Sequence, residues 1–388
     1  MPHYNTVLHQ LLSLIPRHRF ESRVQDLGGD RYVKTFTTWN QLTVLLFAQA
    51  GGKTSLRDIQ QGLMSQAKHF NHLGLPDSIA RSTISEANSK RDYRIYEDLF
   101  HRLLERCQQM APRHRFKFPN PLVSIDSTVI ELSVGSFPWA RHAKTHGAMK
   151  LHYGLDHSGN IPNFFALTAR YASDSKAAKT HLPIIPDSIY CFDRGYIEGS
   201  WFRHIHDGKA FFVTRTKSIL KCGWMSDRPL PQDQRVLSDQ EVEALGFYAA
   251  EGKPLRLITY IDPETGKLFK FLTNNLVLPA AVIADIYKAR WQIEAFFKWI
   301  KQNLKIKSFL GTSKNAVLTQ IWVAMCYYLL LAYIKFQSRY ANSLFYLHRL
   351  IRGSILDRLS IIDLLSLTER ALARIRDPEF DPQLALGL

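Results

Sequence analysis

Apolar residues recur at helical spacing from the N-terminus to about residue 115, then give way to short Val-, Ile-, Leu- and Phe-rich runs, and return to helical spacing from Leu318 onward. The first stretch predicts an all-helical module. Three candidate capping boxes punctuate it: Thr38 with Gln41, Ser55 with Asp58, and Thr83 with Glu86. "TSLRDIQQGL" and "RSTISEANSKRDYRIYEDLF", separated by a loop with Gly74 and Pro76, predict two helices of a helix-turn-helix-like unit. The loop is longer than the usual three- to four-residue turn, so a plain helical bundle is the alternative.

Near Pro119 the period changes. "PLVSIDSTVIEL" reads as a buried strand, and "MKLHYGLD" and "IPNFFALTARY" flank the turn residues His157-Ser158-Gly159-Asn160. "DSKAAKTHLPIIP" predicts a short helix ended by prolines, "DSIYCFDRGY" a strand stopping at Asp193, "IEGSWFRHIHDG" a helix and "KAFFVTRTK" a strand. Three consecutive strands followed by helix, strand, helix, strand describe an α/β sheet with an antiparallel meander on one side. Residues 216 to about 275 interrupt it: "DRPLPQDQ" is loop-like, and "PLRLITYID" and "KLFKFLTNN" around "PETG" form a hairpin. "YKARWQIEAFFKWIKQNLK", Tyr287 to Lys305, predicts one amphipathic helix. The expected organisation is a helical module over 1–115, an α/β domain over 116–313 with a β-rich insertion at 216–275, and a helical region over 314–388.

Charge narrows the partners. The chain has 388 residues, a formal net charge of +16 and a sequence pI near 9.6, which favours a polyanion, nucleic acid first. Cys107, Cys191, Cys222 and Cys326 are widely spaced with no CxxC pair, the pattern of reduced thiols and not of a zinc site. The N-terminus has no apolar signal-peptide core. The longest apolar run, Ile321 to Ile334, falls short of the ~20 residues a membrane span needs and reads as a buried helix. A cytoplasmic protein is expected.

Three carboxylates occupy unusual places. Asp126 interrupts an apolar strand, where a carboxylate is costly unless paired, protonated or metal-bound. Asp193 ends a strand before a Gly turn, where open α/β sheets gather ligands. Glu294 sits inside a basic stripe: at ~100° per residue, Tyr287, Arg290, Glu294, Lys298, Lys301 and Lys305 fall within a roughly 80° arc. Each has a plain alternative. Asp126 could bond Ser124 or Thr128, Asp193 could cap the next helix, and Glu294 could be the i,i+4 partner of Lys298. Taken together, two strand aspartates and a helix glutamate could converge on hard divalent cations, with the stripe holding phosphates. In the helical module Arg81, Lys90, Arg91 and Arg94 are candidate phosphate contacts.

Nearly the whole chain resembles one family. "IDSTVIEL" around Asp126, "DRGY" at Asp193 and above all Tyr287-x2-Arg290-x3-Glu294-x6-Lys301 are similar to a bacterial DDE transposase of the insertion-sequence-four family and its Y-R-E-K signature. "FPWARHAKTHGAMKLHYGLD", "AFFVTRTK" and the N-terminal "SLIPRHRFE" and "SLRDIQQGL" also resemble it. The resemblance implies an RNase H-like mixed sheet core with a β-rich insertion, flanked by an all-helical N-terminal DNA-binding module and C-terminal helices. It implies Asp126, Asp193 and Glu294 as a catalytic triad binding two Mg²⁺ ions, with Mn²⁺ able to substitute. Tyr287, Arg290 and Lys301 would contact transposon-end DNA, and Arg194 of the DRGY turn is a further candidate DNA contact. Trp224, the one tryptophan in the insertion, would support a flipped base at a hairpin end. The implied partners are double-stranded DNA, both terminal inverted repeats and target, and a second copy in a synaptic homodimer near the nucleoid, with no membrane. The implied function is cut-and-paste transposition. An RNase H-like nuclease without transposition, or a domesticated DNA-binding protein, are the alternatives, separable by strand-transfer products and metal-dependent cleavage.

Overall fold

A computed structural model describes residues 5–140, 147–216, 222–245, 254–304 and 309–366. The N-terminal part is helical, as expected: α1 Val7–Ser13, α2 Arg17–Asp26, α3 Thr38–Ala50, α4 Leu56–Met64, α5 Phe70–Leu73, α6 Arg81–Lys90 and α7 Arg94–Met110. Capping follows side-chain chemistry, one residue off prediction for α3. Thr37 accepts from the Asn40 amide and Asn40 accepts back from the Thr37 amide. Ser55 caps α4 as predicted. Thr83 caps nothing, because α6 starts at Arg81. The single helix expected across residues 81–100 is two, broken where Arg91 turns extended at ψ 131°.

The middle of the chain alternates: β1 Leu122–Leu132, β2 Gly147–Asp156, β3 Ile161–Ala169, α8 Asp174–His181, β4 Ile189–Phe192, α9 Gly199–Asp207, β5 Phe211–Arg215, β6 Cys222–Asp227, β7 Val236–Ala244, β8 Leu255–Ile261, β9 Leu268–Thr273, α10 Ala280–Ala289 and α11 Trp291–Asn303. Then come α12 Lys314–Gln337 and α13 Leu344–Ser354. The chain forms two compact units, Met1–Met110 with Lys301–Leu388, and Ala111–Ile300.

In the first unit α12 is the central post. It touches α3, α6, α7 and α13, and a helix covered on all sides has no polar face to keep. It runs ten residues beyond the Ile321–Ile334 apolar stretch, so length and composition alone would let it cross a membrane, yet 94% of its most apolar window is buried inside the protein.

The second unit is built on one nine-stranded mixed sheet of order β3-β2-β1-β4-β5-β9-β8-β7-β6. The β1–β2–β3 meander is antiparallel, while β4 and β5 add parallel to β1. This is the α/β sheet with an antiparallel meander on one side that the order of elements predicts. Asn160, at φ +55°, and Gly159, at φ +75°, make the β2–β3 turn. The insertion differs from expectation. Its strands continue the same sheet, with β9 antiparallel to β5, and β6 and β7 were not anticipated. One face of the sheet carries Trp201, Phe202 and Ile205 of α9 over Tyr190, Phe192 and Phe212. The other carries Ile283 and Ile286 of α10 over Leu122, Cys191 and Val213. Phe296 of α11 stacks on Tyr153 of β2 with centroids 4.4 Å apart, which holds α11 against the meander.

Candidate functional site

Parallel pairing sets the level of two carboxylates. Ile125 of β1 lies opposite Phe192 of β4, so the next residues, Asp126 and Asp193, emerge at the same height from adjacent strands, which run ~4.8 Å apart. Asp126 continues within β1, where its Oδ1 accepts from the Ser127 amide at 2.8 Å. Asp193 stands just past β4, and its Oδ1 accepts from the Gly195 amide at 2.8 Å. The capping alternative for Asp193 is therefore also real. It also explains the glycine, since a Cβ at position 195 would stand 2.9 Å from that oxygen.

Glu294 reaches this pair through Arg290. The helix expected over 287–305 is broken: α10 ends at Ala289 and α11 begins at Trp291. At the junction Arg290 donates its amide to Tyr287 O at 3.2 Å, and Ile293 donates to Arg290 O at 3.0 Å. These i→i+3 contacts tighten the turn. They aim Arg290 at the sheet, where Nη1 meets Asp126 Oδ2 at 3.3 Å and Nη2 bonds Glu294 Oε1. Glu294 is thus paired with Arg290, and the Glu294–Lys298 pair is replaced. The Arg290 guanidinium also lies 5.6 Å from the Tyr287 ring centroid, and Tyr287 packs against Phe271 with rings tilted at 42° and centroids 5.2 Å apart.

The electrostatics are unbalanced: Arg290 pairs with Asp126 and Glu294, and Asp193 adds a third carboxylate that acts on Asp126. Asp126 is pushed up to about 6, chiefly by burial and further by Asp193 and Glu294, against the pull of the Ser127 amide and Arg290. Burial works against the charge on Arg290, but Tyr287, Cys191, Glu294 and Asp126 reverse this and hold its pKa raised. Among the described residues, no three His, Cys, Asp or Glu side chains close on one point at ligand distance; Arg290 spans Asp126 and Glu294 instead. The donor set is all carboxylate oxygen and carries excess negative charge, which fits a hard divalent cation.

Beneath the carboxylates lies a polar pair that sequence reasoning missed. Ser124, two residues before Asp126, places its Oγ 2.7 Å from His157 Nε2, both buried. Burial pushes His157 down to about 4, and it also bonds Gln292 of α11. This chain of contacts links the Asp126 strand to the Glu294 helix. The available signal was a serine in an apolar strand and a histidine opening the β2–β3 turn.

The remaining candidates scatter. Lys298 is exposed on α11 and Lys301 half-buried on the same helix, while Lys305 lies outside the described residues. Arg194 is exposed in the turn after Asp193. Trp224 is 65% exposed on β6, its Nε1 donating to Asp227 at 3.3 Å. Arg81 is exposed at the start of α6, and Lys90 is exposed and paired with Glu86. Arg94, also exposed, is paired with Asp92. Arg91 is the correction. It is 8% exposed, and its guanidinium is committed to the carbonyls of Gly29, Phe36 and Thr37 and the Gln41 side chain, which removes it from reach of a phosphate.

Comparison with known proteins adds to this geometry. A family model for a transposase DDE domain matches residues 117–330, and one for a domain of unknown function (DUF4372) matches residues 3–76. A Sinorhizobium fredii protein that carries the name transposase y4zB is 33% identical over 265 residues, covering 66% of this chain and 72% of that one. A Geobacillus stearothermophilus protein named as a transposase for insertion sequence element IS5377 is 26% identical, covering 71% and 74% respectively. A Synechocystis protein named for element IS4SA is 23% identical, covering 70% and 76%. Among solved structures, a piggyBac transposase synaptic complex with hairpin DNA covers 100% of this chain and 85% of that one, at 10% identity and a TM-score of 0.46, too low for positions to be carried across.

Proposed function

We propose a function that proceeds from one established fact: this chain belongs to the transposase DDE family. It is a DNA transposase, an enzyme acting on DNA with a divalent metal. Within that class our reading is cut-and-paste transposition of an insertion sequence, with hydrolysis at the transposon ends followed by strand transfer into target DNA. Asp126, Asp193 and Glu294 are the catalytic carboxylates. The observation that supports this is their placement: two aspartates level on adjacent parallel strands, and a glutamate joined to the first through Arg290.

The three carboxylates would hold two Mg²⁺ ions, with Mn²⁺ able to substitute. When bound, such a pair lowers the pKa of an attacking water or 3′-hydroxyl and stabilises the leaving oxygen of the phosphodiester. Arg290 offsets part of the excess negative charge and orients Glu294. Tyr287 and Arg290 together present an aromatic face and a cation to end DNA. Lys298, Lys301 and Arg194 supply phosphate contacts, and Trp224 is exposed to receive a base. The partner is double-stranded DNA, and the expected working form is a homodimer pairing two ends.

Asp126→Asn, Asp193→Asn and Glu294→Gln should each lower cleavage of a duplex carrying the DNA that flanks the gene by about a thousandfold, the equivalent of about 4 kcal/mol of transition-state stabilisation. Binding of the same duplex should persist. Near wild-type cleavage in Mg²⁺ by all three variants would show that the chemistry lies elsewhere.

A further inference from the structure

The carboxylate site leaves unexplained a rigid loop in the helical unit. Between α2 and α3 the chain runs through Gly28–Phe36, and both ends are tied to Arg91. Its Nε donates to Gly29 O at 3.2 Å, its Nη1 to Thr37 O at 3.1 Å and its Nη2 to Phe36 O. Asp30, 3.7 Å from the same guanidinium, accepts from both the amide and the hydroxyl of Thr38 at 2.7 Å. A buried cation thus fixes the root of the loop to the start of α3.

What lies between the ends is turned outward. Arg31, Tyr32, Lys34 and Thr35 are exposed. Tyr32 is 86% exposed and sits at φ +64°, a conformation that side chains with a Cβ avoid. Arg31 covers its ring at 5.0 Å and donates to its hydroxyl at 3.1 Å. Among the described residues, neither Arg31 nor Lys34 has an ion-pair partner. Across a cleft of about 660 Å³ the loop faces α6. The acids on that wall, Glu86 and Asp92, are already neutralised by Lys90 and Arg94, so the cleft keeps a positive balance.

We propose that this loop and α6 form a binding cleft for duplex DNA, with Arg31 and Lys34 on phosphates and Tyr32 packed against a sugar or base edge. A protein partner would call for an apolar centre, and this wall offers one aromatic ring among cations. Point charges and small donors on a rigid frame suit a sugar–phosphate backbone. The inference deepens the DNA-transposase reading and assigns a role to a segment of the domain whose function its own family model leaves open.

The test uses the full chain and a labelled mixed-sequence duplex, with dissociation constants measured across a salt series. Arg31→Ala with Lys34→Ala should weaken binding and lower the log–log salt slope by about 1.8, two phosphates' worth. Tyr32→Ala should weaken binding severalfold with the slope unchanged, because it removes contact and not charge. Asp126→Asn should keep the wild-type slope in this binding assay and, on the duplex carrying the DNA that flanks the gene, cleave about a thousandfold more slowly, so failure of the catalytic reading shows independently. Unchanged affinity and slope in the Arg31/Lys34 variant overturns the cleft. So does loss of self-association with DNA binding intact, which would make the loop a protein contact.

Discussion

Arg256 and Arg290 both lie against carboxylates in the sheet-centred unit, and they are balanced differently. Arg256 grips Asp239 with two parallel bonds of 2.8 and 2.6 Å, the two side chains 4% and 3% exposed. Its remaining nitrogen donates to the carbonyls of Asn275 and Leu278. Arg228, bonded to Glu241, stands beside them, so two cations meet two anions and every guanidinium nitrogen of Arg256 has an acceptor. Arg290 instead pairs with Asp126 and Glu294 while Asp193 adds its charge beside Asp126, at the open end of the parallel strands. A closed, neutral cluster staples β7 and β8 to the segment leading into α10. A cluster with excess negative charge remains a place for something else to bind.

Divalent cation is the sharpest way to break that comparison. Arg256→Met should cost about 3–5 kcal/mol of stability, because it strands a buried aspartate, and Mg²⁺ should not restore it. Arg290→Met should also destabilise the metal-free protein, but Mg²⁺ should recover that loss by binding the three carboxylates in the native state. Denaturant unfolding with and without Mg²⁺ measures both. Equal recovery in the two variants would erase the distinction.

Titration gives the next largest effect. Asp126, raised to about 6 from 3.8 mainly by burial, binds more proton in the native than in the unfolded chain between those values. Its contribution therefore makes metal-free stability fall as pH rises from about 4 to about 6, by at most about 3 kcal/mol. Asp126→Asn should flatten that segment of the stability–pH curve. Glu198 has the opposite sign: burial works against it, but Lys179, Ser175 and Ser200 hold it at about 2. Its contribution is present above about pH 4.5 and is lost as pH falls toward 2.

The smallest effect concerns the basic stripe. Lys298→Ala should reduce the salt slope of DNA binding by about 0.9 and leave unfolding unchanged. A shift in stability would mark the lysine as a packing residue.

Much of this architecture was readable in advance, for identifiable reasons. Asp126 and Asp193 stood out because charge in or just after an apolar strand is conspicuous, and the β8–β9 hairpin announced itself through "PETG". The break at Arg290 was hidden because a single tight turn barely disturbs helical periodicity, so the plain alternative for Glu294 names Lys298 and not Arg290 as its partner. Strands β6 and β7 carry "CGWMSD" and "VLSDQEVEA", too polar for a pattern search, and they form through pairing along the sheet. Arg91 was misplaced because its oxygen partners are mostly main-chain carbonyls, and a carbonyl has no letter in the sequence.

The shared level of Asp126 and Asp193 comes from main-chain hydrogen bonds between β1 and β4, which do not depend on which side chains the strands carry. Mutational tolerance should therefore split by type. Apolar exchanges along either strand leave the carboxylates where they are. Insertion or deletion of a single codon before either aspartate moves that residue to the opposite face of the sheet. In a population of drifting copies, inactivation at this core should be dominated by small changes of reading length, with amino-acid replacement concentrated at the three carboxylates themselves.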